Sequence, residues 1–347
     1  MNERVLRLVD ELFDNEGALI SGRANIFYYS GFTSEDAMLF LTKDRCVILT
    51  DSRYTVQAKQ QAAGFEVFIG RPADFLKEAG VRYIWYEDEE MTVSELSRLK
   101  AAAADSFFIP RQFDISKPRR VKDAEEIKRI AAAEALGDAA FSHILNFIRP
   151  GIKERDIALE LEFFMRKNGA SALSFETICA SGVRSAMPHG TASEKIIESG
   201  ELLTLDFGCV LDGYCSDMTR TVAVGNPGDR QREIYETVKS AQEAALCEIA
   251  PGKVCRDIDK AARDIIAGRG YGDCFGHGLG HSVGIEIHES PSLSPRSQDI
   301  LEPGNVVTVE PGIYIEGFAG VRIEDLIVLT ENGYRNLTSS DKELVIL

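Results

Sequence analysis

A chain of 347 residues exceeds what one hydrophobic core usually holds, so two domains are expected. Hydrophobic residues at 44% and charged residues at 27% are ordinary for a globular protein, while a net charge of −16 argues against a broad nucleic-acid or anionic-membrane surface, which needs excess Lys and Arg. No apolar run is long enough to span a bilayer, and seven cysteines without CxxC or CxxxC spacing point to reduced thiols and a cytoplasmic protein.

The opening stretch MNERVLRLVDELFDNEG places apolar residues at helical spacing between charges. It lacks the apolar core and cleavage site of a signal peptide and reads as a surface helix. MLFLT and RCVILTD read as a hairpin turning at Lys43 and Asp44. RYTVQAKQQAAG reads as a helix ending at Gly64, FEVFIG and VRYIWYED as strands, and SELSRLKAAAA as a helix. FIPRQFDISKPRR reads as the exit from the first domain, with the boundary near Pro118 and domains of residues 1–118 and 119–347.

KDAEEIKRIAAAEALGDAAFSHILNFIRPG carries a long helical pattern, with Ile127, Ile130, Leu136, Phe141, Ile144, Leu145 and Ile148 mostly on one side. It stops at Pro150-Gly151, and a second helix follows in KERDIALELEFFMRKNG. IRPGIKERDI at 148–157 matches IAPGKVCRDI at 249–258 with an offset of 101, and the helix after each ends in Gly169 or Gly270. GELLTLDFG at 200–208 matches GNVVTVEPG at 304–312 with an offset of 104. Each copy leads into a second strand with a further acid, Asp217 in CSDMTRTVAV and Glu324 in VRIEDLIVL. Two matched blocks in the same order imply a duplicated α/β unit over about residues 122–340, its halves facing one shared cleft.

In TLDFG, alternation puts Leu203, Leu205 and Phe207 on one face and Thr204 and Asp206 on the other. Asp206, Asp217, Glu310 and Glu324 are thus expected to point into the cleft, with only Arg220 and Arg322 as nearby cations. Like charges at close range need a counter-charge, and carboxylate oxygens suit hard divalent cations, two of which four carboxylates can hold. A single acid in a hairpin is more often a surface charge, which is the reading given to Asp325. Of five histidines, three fall in GHGLGHSVGIEIHE: His277, His281 and His288. His143 lies outside every motif and reads as a structural or surface residue. Cys209 and Cys215 read as packing residues.

These stretches resemble the pita-bread metallopeptidases: methionyl aminopeptidase, aminopeptidase P and prolidase, with creatinase as a relative. DFGCVLDGYCSDMTRT, GHSVGIEIHE, EPGIYI and GVRIED carry the resemblance over about residues 120–340. NIFYYSGFTS and LTDSRYTVQA extend it more weakly to the small leading domain of aminopeptidase P and prolidase; SEDAMLF departs from the small residues those proteins often have there. The resemblance implies a mixed α/β (α+β) fold, a small N-terminal creatinase-like domain followed by a pita-bread domain with an internal pseudo-twofold repeat.

It also implies metal ligands in the chain order Asp206, Asp217, His281, Glu310 and Glu324, with Asp217 and Glu324 shared between two divalent ions. Manganese is expected, with cobalt, iron and zinc as alternatives. His281 lies seven residues before His288, the family's spacing from ligand to second histidine. By resemblance a metal-bridging hydroxide attacks the scissile carbonyl, Glu310 moves the proton to the leaving nitrogen, and His288 stabilises the oxyanion. His189, in SAMPHG, sits near the scissile nitrogen and His277 in the outer pocket. Arg322 anchors substrate, relays charge or supports the ligand carboxylates. The implied partner is a peptide with proline at its second position. The implied enzyme is an Xaa-Pro aminopeptidase, with Xaa-Pro dipeptidase (prolidase) as the alternative and a non-catalytic peptide-binding module as a remote one. Relatives are commonly homodimers, in which Arg53 of DSRY either reaches a neighbouring site or is a solvated helix-start residue.

Overall fold

Short apolar runs between polar turns build a six-stranded sheet from the first 119 residues. In the computed structural model, which describes residues 1–347, Met1–Arg119 and Arg120–Leu347 form two compact units. The first sheet runs in the order Glu66–Ile69, Cys46–Thr50, Ala37–Leu41, Glu16–Ile20, Tyr83–Tyr86, Phe107–Pro110. The expected hairpin is present as the antiparallel pair Ala37–Leu41 and Cys46–Thr50. Leu19, Val47 and Ile84 are fully buried in the core of this unit.

Two expectations shift here. The helix read from RYTVQAKQQAAG is shorter, Thr55–Gln61 after a 3₁₀ turn at Ser52–Tyr54, because the chain leaves helical geometry at Ala62 before reaching Gly64. FIPRQFDISKPRR is more than an exit: Phe107–Pro110 pairs in parallel with Tyr83–Tyr86, and Gln112–Ser116 is a short helix. Proline is tolerated at the end of this strand because it lies at the sheet edge, where a missing N–H breaks no ladder.

In the second unit, Ala124–Ile144 opens on a capping box between Asp123 and Glu126 and ends short of Pro150. Its Ala133, Phe141 and Ile144 share a buried cluster with Ile157, Leu161 and Met165 of the helix Glu154–Lys167, and with Leu203, Leu205 and Phe207. A second cluster gathers the helices Asp229–Glu248 and Cys255–Gly268 around Val307, Val309 and Ile327. The two halves repeat at the level of the backbone. Gly151 and Gly252 are left-handed at φ 91° and 85°, and Gly200 and Gly304 at 92° and 88°. Isolated bridges join Lys153 to Ile196 in one half and Val254 to Ile300 in the other. The matched Pro-Gly and Gly residues of the sequence therefore mark turns that side chains other than glycine resist.

Each half contributes a long antiparallel hairpin, Glu201–Phe207 with Met218–Val224 and Val306–Val309 with Asp325–Thr330. Each continues past a break into a short second pair, Cys209–Leu211 with Tyr214–Cys215 and Gly312–Ile315 with Ala319–Arg322. The first tip closes on Asp212-Gly213, both at positive φ (49° and 82°), as a two-residue turn of this handedness requires. Asp217, Glu310 and Glu324 occupy the breaks between these strands. No helix is long and apolar enough to cross a membrane.

Asp325 is not a surface charge. It is fully buried and accepts hydrogen bonds from Arg220 at 2.9 Å, Lys342 at 2.8 Å and Asn336 at 2.9 Å. Adjacent strand residues face opposite ways, so Asp325 meets a cationic pocket behind the sheet while Glu324 faces the cleft.

Candidate active site

The cleft of the second unit is a cavity of about 540 Å³ whose lining includes Asp206, Asp217, His281, Glu310, Glu324 and His288. His189, His277 and Arg322 line it as well, so every site residue expected from the sequence meets in one place. Asp206, Asp217 and Glu324 are buried, and each offers an oxygen within 4.8 Å of the others. Asp206 Oδ1 is buried with no hydrogen-bond partner. A buried carboxylate oxygen without a donor is costly, and a cation is the partner that fits it. Burial first, then the Glu324 and Asp206 carboxylates, pushes Asp217 well above the ordinary carboxylate range. Burial first, then Glu310 and Asp206, does the same to Glu324. Burial lifts Glu310 to about 8 against the opposing pull of Arg322. Without a counter-cation these acids must therefore take up protons. The donor set is hard oxygen plus one imidazole, which fits divalent cations.

His281 sits on the strand Gly280–Ser282 with Nδ1 3.2 Å from its neighbour's carbonyl oxygen, Ser282 O. That contact makes Nδ1–H the donor and leaves Nε2 with its lone pair. Nε2 faces Asp217 Oδ2 at 3.5 Å and Glu310 Oε1 at 3.4 Å. Burial and the nearby His288 ring lower the His281 pKa to about 4, so the ring is neutral at pH 7. The donors thus fall into two overlapping groups, Asp206–Asp217–Glu324 and Asp217–His281–Glu310. Thr308 joins the second group: its hydroxyl accepts the His281 backbone N–H at 3.0 Å and donates to Glu310 at 3.2 Å. Gly280 makes this closeness possible, since a Cβ there would lie 2.1 Å from the Thr308 carbonyl oxygen. Thr219, paired across the strands with Asp206, donates its hydroxyl to Glu324 at 2.6 Å.

The remaining histidines are held differently. The His288 ring meets the His281 ring edge to face at 4.4 Å. His277 Nδ1 donates to Gly278 O at 2.8 Å, so Nε2 accepts from Tyr314 OH at 2.9 Å. Burial and then Arg322 lower its pKa to about 4, consistent with that tautomer. Arg322 donates to Asp206 Oδ2 at 2.5 Å, Tyr314 OH at 2.7 Å, Pro188 O at 3.1 Å and Thr219 Oγ1 at 3.1 Å. It therefore ties the His189 segment to the carboxylates. His143 lies apart from the cleft residues, bonded to Glu160 at 2.6 Å and stacked on Phe164. Cys209 and Cys215 are buried, as expected of packing residues. Arg53, on the first unit, is exposed and pairs with Asp51 and Asp36.

Thr219 and Thr308 escaped the sequence reading, and so did Tyr314 and Glu134. Tyr314 was visible in EPGIYI but carried no charge to mark it. Glu134, on the long helix, accepts the Asp217 N–H at 3.1 Å and the Thr338 hydroxyl at 2.6 Å. Burial lifts its pKa to about 8. Its only sequence signal was an acid on the side of the helix that carries Ile130 and Phe141, a side it shares with Glu126 and Asp138.

Comparison with known proteins finds two family models along the chain. Metallopeptidase family M24 matches residues 128–331, and the creatinase/prolidase N-terminal domain matches residues 4–121. The solved Xaa-Pro dipeptidase from Bacillus anthracis is 46% identical with a TM-score of 0.95, covering 99% of this chain and 98% of that one. The X-Pro aminopeptidase from Thermotoga maritima is 39% identical with a TM-score of 0.93, covering 99% of this chain and 100% of that one. The Xaa-Pro dipeptidase of Pyrococcus horikoshii is 37% identical over 99% of both chains. The chain shares their mixed α/β fold, a creatinase-like region ahead of the duplicated unit, as read from its sequence.

Proposed function

The chain belongs to metallopeptidase family M24, and on that premise we propose that it hydrolyses the bond between a residue and a following proline. Asp206, Asp217, His281, Glu310 and Glu324 are the proposed ligands of two divalent cations. The observation that carries this assignment is the buried acidic cluster with its unpartnered Asp206 oxygen, beside an imidazole whose lone pair faces two carboxylates. When bound, the cations neutralise the cluster, lower the pKa of a water toward 7 and polarise the scissile carbonyl. The carboxylate-rich set favours manganese.

The chain's own groups supply the rest. Glu310, ionised once cations neutralise the cluster, is the group proposed to take the proton of the attacking water and deliver it to the leaving nitrogen. Its neighbour Thr308 holds that carboxylate in place. His288, against the His281 ring, is the proposed stabiliser of the developing oxyanion. His189 orients the scissile amide, on a segment held by the Arg322 bond to Pro188. Neutral His277 lines the outer pocket, braced by Tyr314. Of the roles open to Arg322, support of Asp206 is favoured, because four acceptors already engage its guanidinium.

A proline bond lacks an N–H and has a fixed ring, so a dedicated pocket is needed. The dipeptide is the favoured substrate, since the Pyrococcus relative and the Bacillus anthracis neighbour are both named Xaa-Pro dipeptidases. The Thermotoga neighbour, named an aminopeptidase, supports the longer peptide as a second reading. The full donor set argues against a merely binding module. The proposed domains are residues 1–118 and 119–347, in keeping with the division into compact units after Arg119. The seven unpaired cysteines support a cytoplasmic protein, and the family resemblance a homodimer.

The test is hydrolysis of an Xaa-Pro dipeptide and an Xaa-Pro-Yaa tripeptide by protein stripped of metal and reconstituted with Mn²⁺. Metal-dependent cleavage of the dipeptide alone makes it a dipeptidase, and cleavage of the tripeptide an aminopeptidase. No cleavage of either, with metal bound, overturns the proposal.

A further inference from the structure

The catalytic groups do not use Lys122, yet its side chain is 1% exposed and ends beside the histidine segment. Its ammonium donates to Ser282 Oγ at 2.8 Å and to Glu289 Oε2 at 3.1 Å. Ser282 directly follows His281, and Glu289 directly follows His288. The same two residues face each other across the strands Gly280–Ser282 and Glu289–Leu293. The pairing is irregular at this point: His281 opposes Ser292, whereas the next residue, Ser282, opposes Glu289. A bulge of this kind re-aims side chains but leaves fewer ladder bonds to fix them.

The polar contacts around Lys122 replace those bonds. Ser282 Oγ passes the link on to Val306 O at 2.7 Å, and Glu289 Oε1 accepts the N–H groups of Ile285 and Glu286 at 3.1 and 3.2 Å. Lys122 is itself fixed, its N–H donating to Gly304 O at 2.9 Å. A buried ion pair is a poor device for stability, because apolar residues of similar volume serve as well or better. What it offers is direction. An ammonium holds two acceptors at set angles, and here each acceptor adjoins one histidine.

We propose that Lys122 is a positioning residue that fixes the His281 and His288 rings relative to each other through Ser282 and Glu289. This rests on the reading of His281 as a metal ligand and His288 as the oxyanion partner. Residues behind metal-ligating histidines that orient them typically change affinity or activity by about 10–100-fold when removed.

The test compares wild type with Lys122→Met, Lys122→Arg and Glu289→Gln in the full chain. In Lys122→Met, kcat on the cleaved Xaa-Pro peptide at saturating Mn²⁺ is expected to fall about 10–100-fold, with a much smaller change in KM. Lys122→Arg recovers most of that loss. A crystal structure of each metal-free protein reads the ring geometry directly: the 4.4 Å separation of the His281 and His288 centroids should change in Lys122→Met and persist in Lys122→Arg. If Lys122→Met does not fold, Glu289→Gln, which keeps the volume and removes the charge, gives the same readings. Wild-type kcat in the folded variant, or unchanged ring geometry, overturns the proposal. Absence of peptide hydrolysis by the wild type would instead refute the functional reading, and the ring geometry still decides the role of Lys122.

Discussion

Removing the cations should make this protein's stability fall with pH in a window set by the cluster itself. Glu310 has its pKa raised on folding from the ordinary 4.5 to about 8. Such a group contributes stability that is fully present below the unfolded value and is lost as pH rises through the folded one. Asp217 and Glu324 act with the same sign. His277 and His281 act in the opposite sense. Both are lowered from 6.5 to about 4, so their contribution is present above 6.5 and lost as pH falls toward 4. The interval from about pH 6.5 to 8 therefore isolates the carboxylates. Across it Glu310 alone accounts for about 2 kcal/mol, at 1.36 kcal/mol per pH unit. Its side chain is 16% exposed, so solvent screening does not remove the effect. Bound cations take the place of those protons and should flatten the dependence. Glu134, also lifted to about 8, lies behind Asp217 and contributes to both forms, which makes the difference between them the informative quantity. The assay is urea unfolding of chelator-stripped and Mn²⁺-loaded protein across that interval. The stripped form should lose about 2 kcal/mol more than the loaded form. Equal losses in the two forms would refute the claim that the cluster is built around cations.

Four substitutions test individual roles. Asp217→Ala or Glu324→Ala should remove both activity and bound metal, measured by turnover and atomic absorption, and near-normal turnover of either variant would sink the two-cation assignment. His288→Ala should lower turnover while leaving metal content in place; loss of a full metal equivalent would instead make His288 a ligand. Gly280→Ala should weaken cation binding in calorimetry, because its Cβ would meet the Thr308 carbonyl oxygen at 2.1 Å and push His281 away from Glu310. An unchanged affinity would mean that the strand shifts without disturbing the imidazole.

The duplication was legible because its markers are conformational. Gly151 and Gly252, or Gly200 and Gly304, must be glycine where φ is positive, so they recur at fixed offsets while the side chains between them drift. The donors were legible for a related reason: carboxylates among apolar strand residues are costly unless something pairs with them. The first unit was harder to read. Glu16–Ile20, the strand that joins the two halves of its sheet, offers only four apolar or small residues after one acid, a run too short for periodicity to separate strand from helix. Phe107–Pro110 was hidden by its proline, which argues against a strand everywhere except at an edge.

Glu324 and Asp325 show where local reasoning stops. They are neighbours of the same charge, and nothing within ten residues distinguishes a group facing the cleft from one facing a structural cation. The partner that decides is Arg220, more than a hundred residues earlier, whose guanidinium bonds the Asp325 carboxylate and the Glu324 carbonyl together. Arg322 divides its bonds in the same way between Asp206 and Tyr314. The two arginines that the sequence offered as neighbours of the acids thus have separate tasks. Arg220 satisfies a carboxylate behind the sheet, so that it makes no demand for a cation. Arg322 engages one oxygen of Asp206 and leaves the other without a donor. A count of acids against bases along the strands treats both arginines as charge compensation. Only the fold shows that one removes a carboxylate from the cleft's electrostatics while the other orients a carboxylate within it, and that separation leaves the cleft with the unpaired oxygen a cation would fill.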